Sequence, residues 1–162
     1  MLWNPTYEPG TRRFKGTEEA GRKLGVAIVS LPLTEPDHVD RVFAEARRVR
    51  VEAITVLSDP VTFTQRVEIL DQAARHRLPA IYAFRAFVAD CGLVSYASLT
   101  PPVWSASTVA LRSMSTRFSR ERSPAISVEH PIAFELWINR KAARAIGLTI
   151  PSLLARADQV IE

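Results

Sequence analysis

The stretch AITVLSDPVTFTQRVEILDQAARHRLPAIYAF, residues 53–84, decides the fold class. It contains two apolar runs, AITVL at 53–57 and AIYAF at 80–84, whose length is typical of strands that are buried on both faces of a sheet. An amphipathic helix is predicted between them from four apolar residues at helical spacing: Phe63, Val67, Leu70 and Ala74. A strand, a helix and a strand at this spacing predict a right-handed crossover between two parallel strands.

The same alternation continues on both sides of this stretch. VAIVSL at 26–31 predicts a third buried strand, and a helix is predicted after it from apolar residues at helical spacing: Val39, Val42, Phe43, Ala46 and Val49. The apolar start of the chain stops at Asn4-Pro5, which predicts a strand end there because proline cannot donate to a sheet ladder. Residues 17–24 predict a further helix, and LVSY at 93–96 a further strand. The sequence therefore predicts an α/β fold with a mainly parallel sheet.

The pattern changes at Ala97. Residues 97–127 contain eight serines and three prolines and show no sustained helical or strand period. Regular patterns return near Val128, where FELWIN at 134–139 alternates like a strand. Two short helices are predicted after it, RKAARAIGL at 140–148 and SLLARA after Pro151.

Composition excludes several classes of protein. The chain has 162 residues, 47% of them hydrophobic and 23% charged, which fits one globular domain. No apolar run approaches the roughly 18 residues of a membrane-spanning helix, so no membrane insertion is predicted. The single cysteine, Cys91, rules out an internal disulfide and a cysteine-cluster metal site. The first residues lack the pattern of a signal peptide, so we expect that this sequence does not direct its own export.

The positive charge is concentrated in the unusual segment. The net charge of the whole chain is +4, and residues 97–127 carry four arginines and one glutamate. The remainder is nearly balanced, whereas a phosphate-binding face would show clustered lysine and arginine on the folded part. No nucleic-acid partner is therefore predicted.

The motifs of common catalytic and cofactor sites are missing from the sequence. There is no GxGxxG after a predicted strand, no GxSxG elbow, and the glycines at Gly10 and Gly16 do not have P-loop spacing. His38, His76 and His130 are far apart and form no metal-binding pair. The sequence therefore predicts no cofactor and no metal, and it contains no recognisable catalytic motif.

Polar and aromatic side chains follow the predicted strands, and these are the candidate ligand-binding residues. Ligands of parallel α/β sheets bind outside the carboxyl ends of the strands. An α-amino acid suits such a set, because a carboxylate pairs with its ammonium group and aromatic rings cover its side chain. Helix capping by Ser58 and Asp59, and a place in the core for Phe84, are the competing interpretations. The predicted site consists of Asn4, Ser58, Asp59, Phe84 and Ser95.

Several blocks of the sequence resemble ABC transporter substrate-binding proteins of the tryptophan/tyrosine type. The blocks are LWNP (2–5), EEAGRKLGV (18–26), ITVLSDP (54–60), RHRLPAIYAFRAFVADCGLVSY (75–96) and FELWINRKAARAIGLTIPSLLARADQVIE (134–162). The resemblance implies a type I periplasmic binding fold, in which each of two Rossmann-like lobes is a three-layer αβα unit. It also implies a periplasmic protein that binds a small solute between its lobes by hinge closure and passes it to an ABC permease.

The resemblance divides the chain into three parts. Residues 1–96 resemble the second lobe of the family, residues 97–127 form the aberrant segment, and residues 128–162 resemble the family's C-terminal strand and helices. We expect the first lobe and the export signal to be missing, so that the chain is a fragment of such a protein. The alternatives are a ligand-sensing effector domain of a transcription regulator, a truncated product without function, and a small α/β enzyme of the doubly wound type, which would need a nucleophile or cofactor loop at a strand end. The resemblance itself implies a protein that is not an enzyme.

A shift of reading frame would explain the aberrant segment. The family usually has a helix with the sequence Val-Asp-Lys-Ile-Leu-Lys-Gly in this region. If it is encoded as GTC GAC AAG ATT CTC AAG GGA and read one base later, it gives Ser-Thr-Arg-Phe-Ser-Arg followed by an acidic residue. That is the sequence from Ser115 to Glu121. The hypothesis is that residues 97–127 are translated out of frame.

Overall fold

The computed structural model describes residues 1–98 and 134–162, and both ranges contribute strands to one seven-stranded sheet. The strands are β1 (Leu2–Trp3), β2 (Leu31–Pro32), β3 (Ile54–Val56), β4 (Ala80–Tyr82), β5 (Val94–Ser98), β6 (Phe134–Asn139) and β7 (Gln159–Ile161). Their order in the sheet is β2-β1-β3-β4-β5-β6-β7. Neighbouring strands run parallel from β2 to β5, and β6 runs parallel to β7. The predicted α/β class with a mainly parallel sheet is confirmed.

The helices alternate with the strands along the chain. They are α1 (Glu8–Leu24), α2 (Val39–Arg48), α3 (Pro60–Thr64), α4 (Arg66–Arg75), α5 (Arg85–Ala89), α6 (Arg140–Ala145) and α7 (Pro151–Leu154). A short 3₁₀ turn, Pro36–His38, precedes α2. The predicted helix at 17–24 is the C-terminal part of the longer α1, which ends at Gly25 in the left-handed conformation.

Helices pack on both faces of the sheet, although Thr55 and Ile81 remain exposed on one of them. Leu2 of β1 belongs to the main apolar cluster with Phe43 of α2 and Ile69 of α4. Trp3, the next residue along β1, points to the opposite face because side chains alternate along a strand. Its ring stacks on Phe14 of α1, with 4.5 Å between the ring centroids. The sheet therefore lies between α1 on one side and α2 and α4 on the other, which is the expected three-layer arrangement.

The chain divides into two compact units. The first consists of Met1–Ala97 and Glu135–Glu162, and the second of Ser98–Phe134. The frame-shift hypothesis for residues 97–127 concerns positions outside the described residues, apart from Ala97 and Ser98 at the end of β5.

The crossover at 53–84 is confirmed, but its helix differs from the prediction. β3 and β4 pair in register, Ile54 with Ala80 and Val56 with Tyr82. Two helices join them instead of one, because the chain leaves helical geometry at Gln65 between α3 and α4. The interruption changes the helical phase, so the buried residues of α4 are Ile69, Leu70 and Ala73, whereas Val67 and Ala74 are exposed.

The strand predictions are wrong in extent for residues 26–31 and wrong in burial for β3 and β4. VAIVSL at 26–31 reaches strand geometry only at Leu31, and Val26 is exposed. The register pairs Leu2 with Leu31, so residues 26–28 lie beyond the start of the neighbouring strand and have no ladder partner there. β3 and β4 are also not buried on both faces, because Thr55 and its partner Ile81 are exposed.

The C-terminal residues pack in the same unit as the N-terminal strands. FELWIN forms β6 as predicted, and a second apolar cluster joins Leu93 and Val94 to Ile138 and Ala143. Gly147 has a φ of 74° just after α6, which suits glycine at a helix end. The sequence did not predict β7, which pairs with β6 through Trp137 and Gln159 among others.

Two glycines provide a matched test of packing. A methyl group at Gly92 would lie 2.6 Å from the carbonyl oxygen of Phe87 and 2.9 Å from the ring of Tyr82, whereas a methyl group at Gly16 in α1 would meet nothing within 4 Å. We expect Gly92→Ala to lower the free energy of unfolding by about 1–3 kcal/mol through overpacking. Gly16→Ala should raise it by about 0.5–1 kcal/mol because alanine favours the helix. Urea unfolding measures both, and changes in the same direction would contradict this packing.

Candidate functional site

The register of the sheet aligns the ends of its central strands. Leu2 pairs with Val56, Val56 with Tyr82, and Tyr82 with Ser95, so these four residues form one row across the sheet. Two residues further along three of these strands come the predicted site residues Asn4, Ser58 and Phe84. Neighbouring strands lie about 4.8 Å apart, so this edge brings those residues close to one another. Ser95 belongs to the row before them and lies inside the sheet.

Asn4 is held by a local turn. Its side chain is buried, and Oδ1 accepts hydrogen bonds from the backbone N–H of Thr6 at 2.9 Å and from the Thr6 hydroxyl at 2.7 Å. The carbonyl of Asn4 accepts from the backbone N–H of Tyr7. These bonds fix the end of β1, and they occupy the side-chain oxygen of Asn4 within the protein.

Asp59 caps α3 and still has one oxygen without a partner. It is 1% exposed, and Oδ1 accepts from the backbone N–H groups of Val61 at 2.9 Å and Thr62 at 3.0 Å. The Thr62 hydroxyl accepts in return from the backbone N–H of Asp59, which completes a capping box. Oδ2 has no hydrogen-bond partner among the residues the structure describes. The capping interpretation is therefore correct for Oδ1, while Oδ2 is buried and has no hydrogen-bond partner in the described part of the chain.

The charge of Asp59 is affected by burial. Burial raises the pKa of its carboxyl above the ordinary 3.8, and hydrogen bonds from Thr62 and Val61 oppose that shift. The backbone amide of Asn4 also faces this carboxylate closely enough to lower its pKa, although it does not complete a hydrogen bond to Oδ2. Asn4 and Asp59 are therefore neighbours in space, as their strand ends predicted.

Ser58 contacts an arginine that the sequence analysis missed. Its side chain is buried, and its hydroxyl oxygen accepts a hydrogen bond from Nη1 of Arg13 at 2.7 Å. Arg13 lies on α1 and follows no strand, so a search of strand ends could not find it. The available signal was the length of α1, because a helix that begins just after β1 passes over the strand ends.

Phe84 lies at the margin of the core. Its ring meets Phe63 of α3 edge to face, with 5.7 Å between centroids, and it packs on the main apolar cluster while half-buried. The guanidinium of Arg66 lies 5.2 Å from the centre of the Phe63 ring. Phe84 therefore serves the packing of α3, and its remaining exposed surface faces outward from the core.

Ser95 is fully buried, and its hydroxyl oxygen has no hydrogen-bond partner within residues 1–98 and 134–162. Buried polar atoms in folded proteins are nearly always hydrogen-bonded. In this part of the chain, two buried side-chain oxygens have no hydrogen-bond partner, Asp59 Oδ2 and Ser95 Oγ. A water molecule or a ligand would have to supply their missing hydrogen bonds.

The described part of the chain gives no sign of a metal site or a membrane span. It has no group of three or more histidine, cysteine, aspartate or glutamate side chains that could hold a metal ion. None of its helices is long and apolar enough to cross a bilayer.

The raised pKa of Asp59 predicts how stability depends on pH. The folded protein keeps the Asp59 proton to a higher pH than the unfolded chain, so this group lowers the free energy of unfolding as pH rises from about 3.8. Asp59→Asn keeps the capping oxygen but cannot ionise. Relative to the parent protein, the variant should gain stability as pH rises from about 3.8 through the raised pKa of the folded state, as measured by urea unfolding. A stability difference that is constant with pH, or that changes in the other direction, would contradict the shift.

Comparison with known proteins finds the same fold in solved structures. A conserved domain protein from Vibrio cholerae O1 biovar El Tor aligns with a TM-score of 0.82 at 18% identity, over 98% of this chain and 53% of that one. An ABC domain in complex with L-Trp from Streptococcus pneumoniae aligns with a TM-score of 0.77 at 21% identity, over 99% of this chain and 55% of that one. A ligand-free, open substrate-binding protein with adhesive properties from Clostridium difficile aligns with a TM-score of 0.69 at 15% identity, over 99% and 52%.

No protein-family model and no curated protein matches the sequence. The chain spans about half the length of the solved structures it resembles. At these identities the likeness shows the fold alone, and it agrees with the architecture expected from the sequence. The described residues share the α/β fold of these solved structures.

Proposed function

We propose that this chain binds a small solute at the carboxyl ends of β1 and β3, as part of the substrate-binding protein of an ABC importer. The observation that carries the proposal is the free Oδ2 of the buried Asp59, which lies beside Asn4 and Ser58. The fold is shared with a protein described as substrate-binding and with an ABC domain that was solved in complex with L-Trp. The proposed activity is binding without chemical conversion of the solute.

An amino acid is the solute class that suits the side chains at this edge. An ammonium group can donate to Oδ2 of Asp59 and replace the hydrogen bond that the protein does not supply. The Phe84 ring, half-buried and next to Phe63, offers apolar surface to the solute's side chain. Ser95 has a second buried oxygen with an unmet hydrogen-bonding capacity, one row further inside the sheet than this edge.

In this proposal residues 1–96 are the second lobe of a two-lobed periplasmic protein, and residues 128–162 complete that lobe. Substrate-binding proteins of this architecture close two domains on a ligand by a hinge. The closed form would deliver the solute to the permease of the importer. A single lobe supplies part of the ligand's contacts, so the chain by itself should bind weakly, with a Kd of about millimolar.

The test is a titration followed by the backbone amide signals of the isotope-labelled chain in NMR, which detects weak binding. L-Tryptophan, L-tyrosine and L-leucine are added in turn, with glucose as a solute that lacks an ammonium group. We expect saturable shifts for the amides of Asn4, Ser58 and Asp59 with at least one amino acid and none with glucose.

Two variants make the test specific to Asp59. Asp59→Asn retains the capping oxygen and should weaken amino-acid binding at least about tenfold, because the NH2 group that replaces Oδ2 donates hydrogen bonds and cannot accept one from an ammonium group. Asp71→Asn is the matched control, since Asp71 is an exposed residue of α4 that pairs with Arg75. Equal affinities for the parent chain and Asp59→Asn, or no saturable shift with any amino acid, would overturn the proposal.

A further inference from the structure

Arg13 presents an uncompensated positive charge beside the strand ends. Its guanidinium has five N–H donors, and among the described residues the hydrogen bond to Ser58 Oγ is the one that it makes. The next residue, Arg12, behaves differently: its guanidinium pairs with Glu8 at 2.8 Å, one turn earlier on α1. Two adjacent arginines on one helix therefore have different surroundings, and only Arg13 faces the candidate site.

An acidic residue directly follows Ser58 in the chain. Asp59 follows Ser58 in the chain, is fully buried and has its Oδ2 unpartnered in the described part of the protein. Arg13 and Asp59 do not form an ion pair with each other there, so their charged atoms are more than 4.0 Å apart. The cation therefore contacts the Ser58 hydroxyl and the anion belongs to the next residue in the chain, and each keeps hydrogen-bonding capacity within the described residues.

We propose that Arg13 binds the carboxylate of the solute while Asp59 binds its ammonium group, so that the site selects α-amino acids in which both groups are free. This inference rests on the proposed function and adds to it a residue and a requirement for the solute's carboxylate. The planar guanidinium matches a carboxylate through paired N–H donors, and Arg13 has such donors available once one is given to Ser58. A solute without a carboxylate would leave the arginine uncompensated.

The competing explanation is that Arg13 only ties α1 to the end of β3 through Ser58. The two explanations differ in what they predict for ligands. A structural tie affects the stability of the protein and affects all solutes alike, whereas a carboxylate-binding residue discriminates between an amino acid and its amide. Arg13 is an exposed residue, so replacing it should leave the fold intact, which the thermal unfolding midpoint checks.

The experiment compares the dissociation constants of L-tryptophan, L-tyrosine and L-leucine with those of their amides, by NMR titration of the labelled chain. The amides keep the ammonium group and lose the carboxylate charge. The parent chain should bind the preferred amino acid at least about tenfold more tightly than its amide. Arg13→Gln should lose most of that difference, and Arg13→Lys should keep part of it because the charge remains.

Arg12→Gln is the control for the change in net charge, because it removes the same charge one position away on the same helix. It should retain the preference for the acid. If the parent chain binds an amino acid and its amide equally, or if Arg13→Gln keeps the preference, Arg13 is only a structural tie and this inference fails while the proposed function stands. If the parent chain binds none of the amino acids, the proposed function fails and this inference fails with it.

Discussion

The candidate site depends on the parallel pairing of four strands in one register. The hydrogen-bonded row that runs through Leu2, Val56, Tyr82 and Ser95 places the ends of β1, β3 and β4 at the same level. A slip of one residue in β3 would turn Ser58 to the opposite face of the sheet, since side chains alternate along a strand. The apolar side of the row is buried against α2 and α4, so the hydrophobic core fixes the register and thereby the position of the polar edge.

At that edge, one carboxylate has one oxygen in a helix cap and one oxygen that we propose as a ligand contact. Oδ1 of Asp59 holds the start of α3, and Oδ2 is left without a protein partner although it is buried. The cap fixes the orientation of the carboxylate before any ligand arrives, so little conformational entropy is lost on binding. The arrangement holds the Asp59 carboxylate away from water, and this burial raises the pKa of its carboxyl group.

The sequence was informative where a pattern has a local cause. Strand ends at Asn4-Pro5 and at Ser58-Asp59-Pro60 follow from the chemistry of proline and of capping residues, and the structure places both at the same edge. The α/β class follows from the crossover between β3 and β4 for the same reason. The features that could not be predicted from the sequence depend on tertiary contacts. Pairing partners decide where β2 begins, and the contact of Arg13 with Ser58 joins residues that are 45 positions apart.

The break at Gln65 affects how far a substitution in one of the two helices influences the other. α3 is tied to the end of β3 by polar bonds, including that of the Thr62 hydroxyl to the carbonyl of Leu57, whereas α4 is held by apolar packing of Ile69 and its neighbours. Because the two helices are separate pieces, substitutions that repack α4 need not rotate the carboxylate at the start of α3. Substitutions in α4 can therefore change the stability of the unit without changing the ligand preference that we propose for the start of α3.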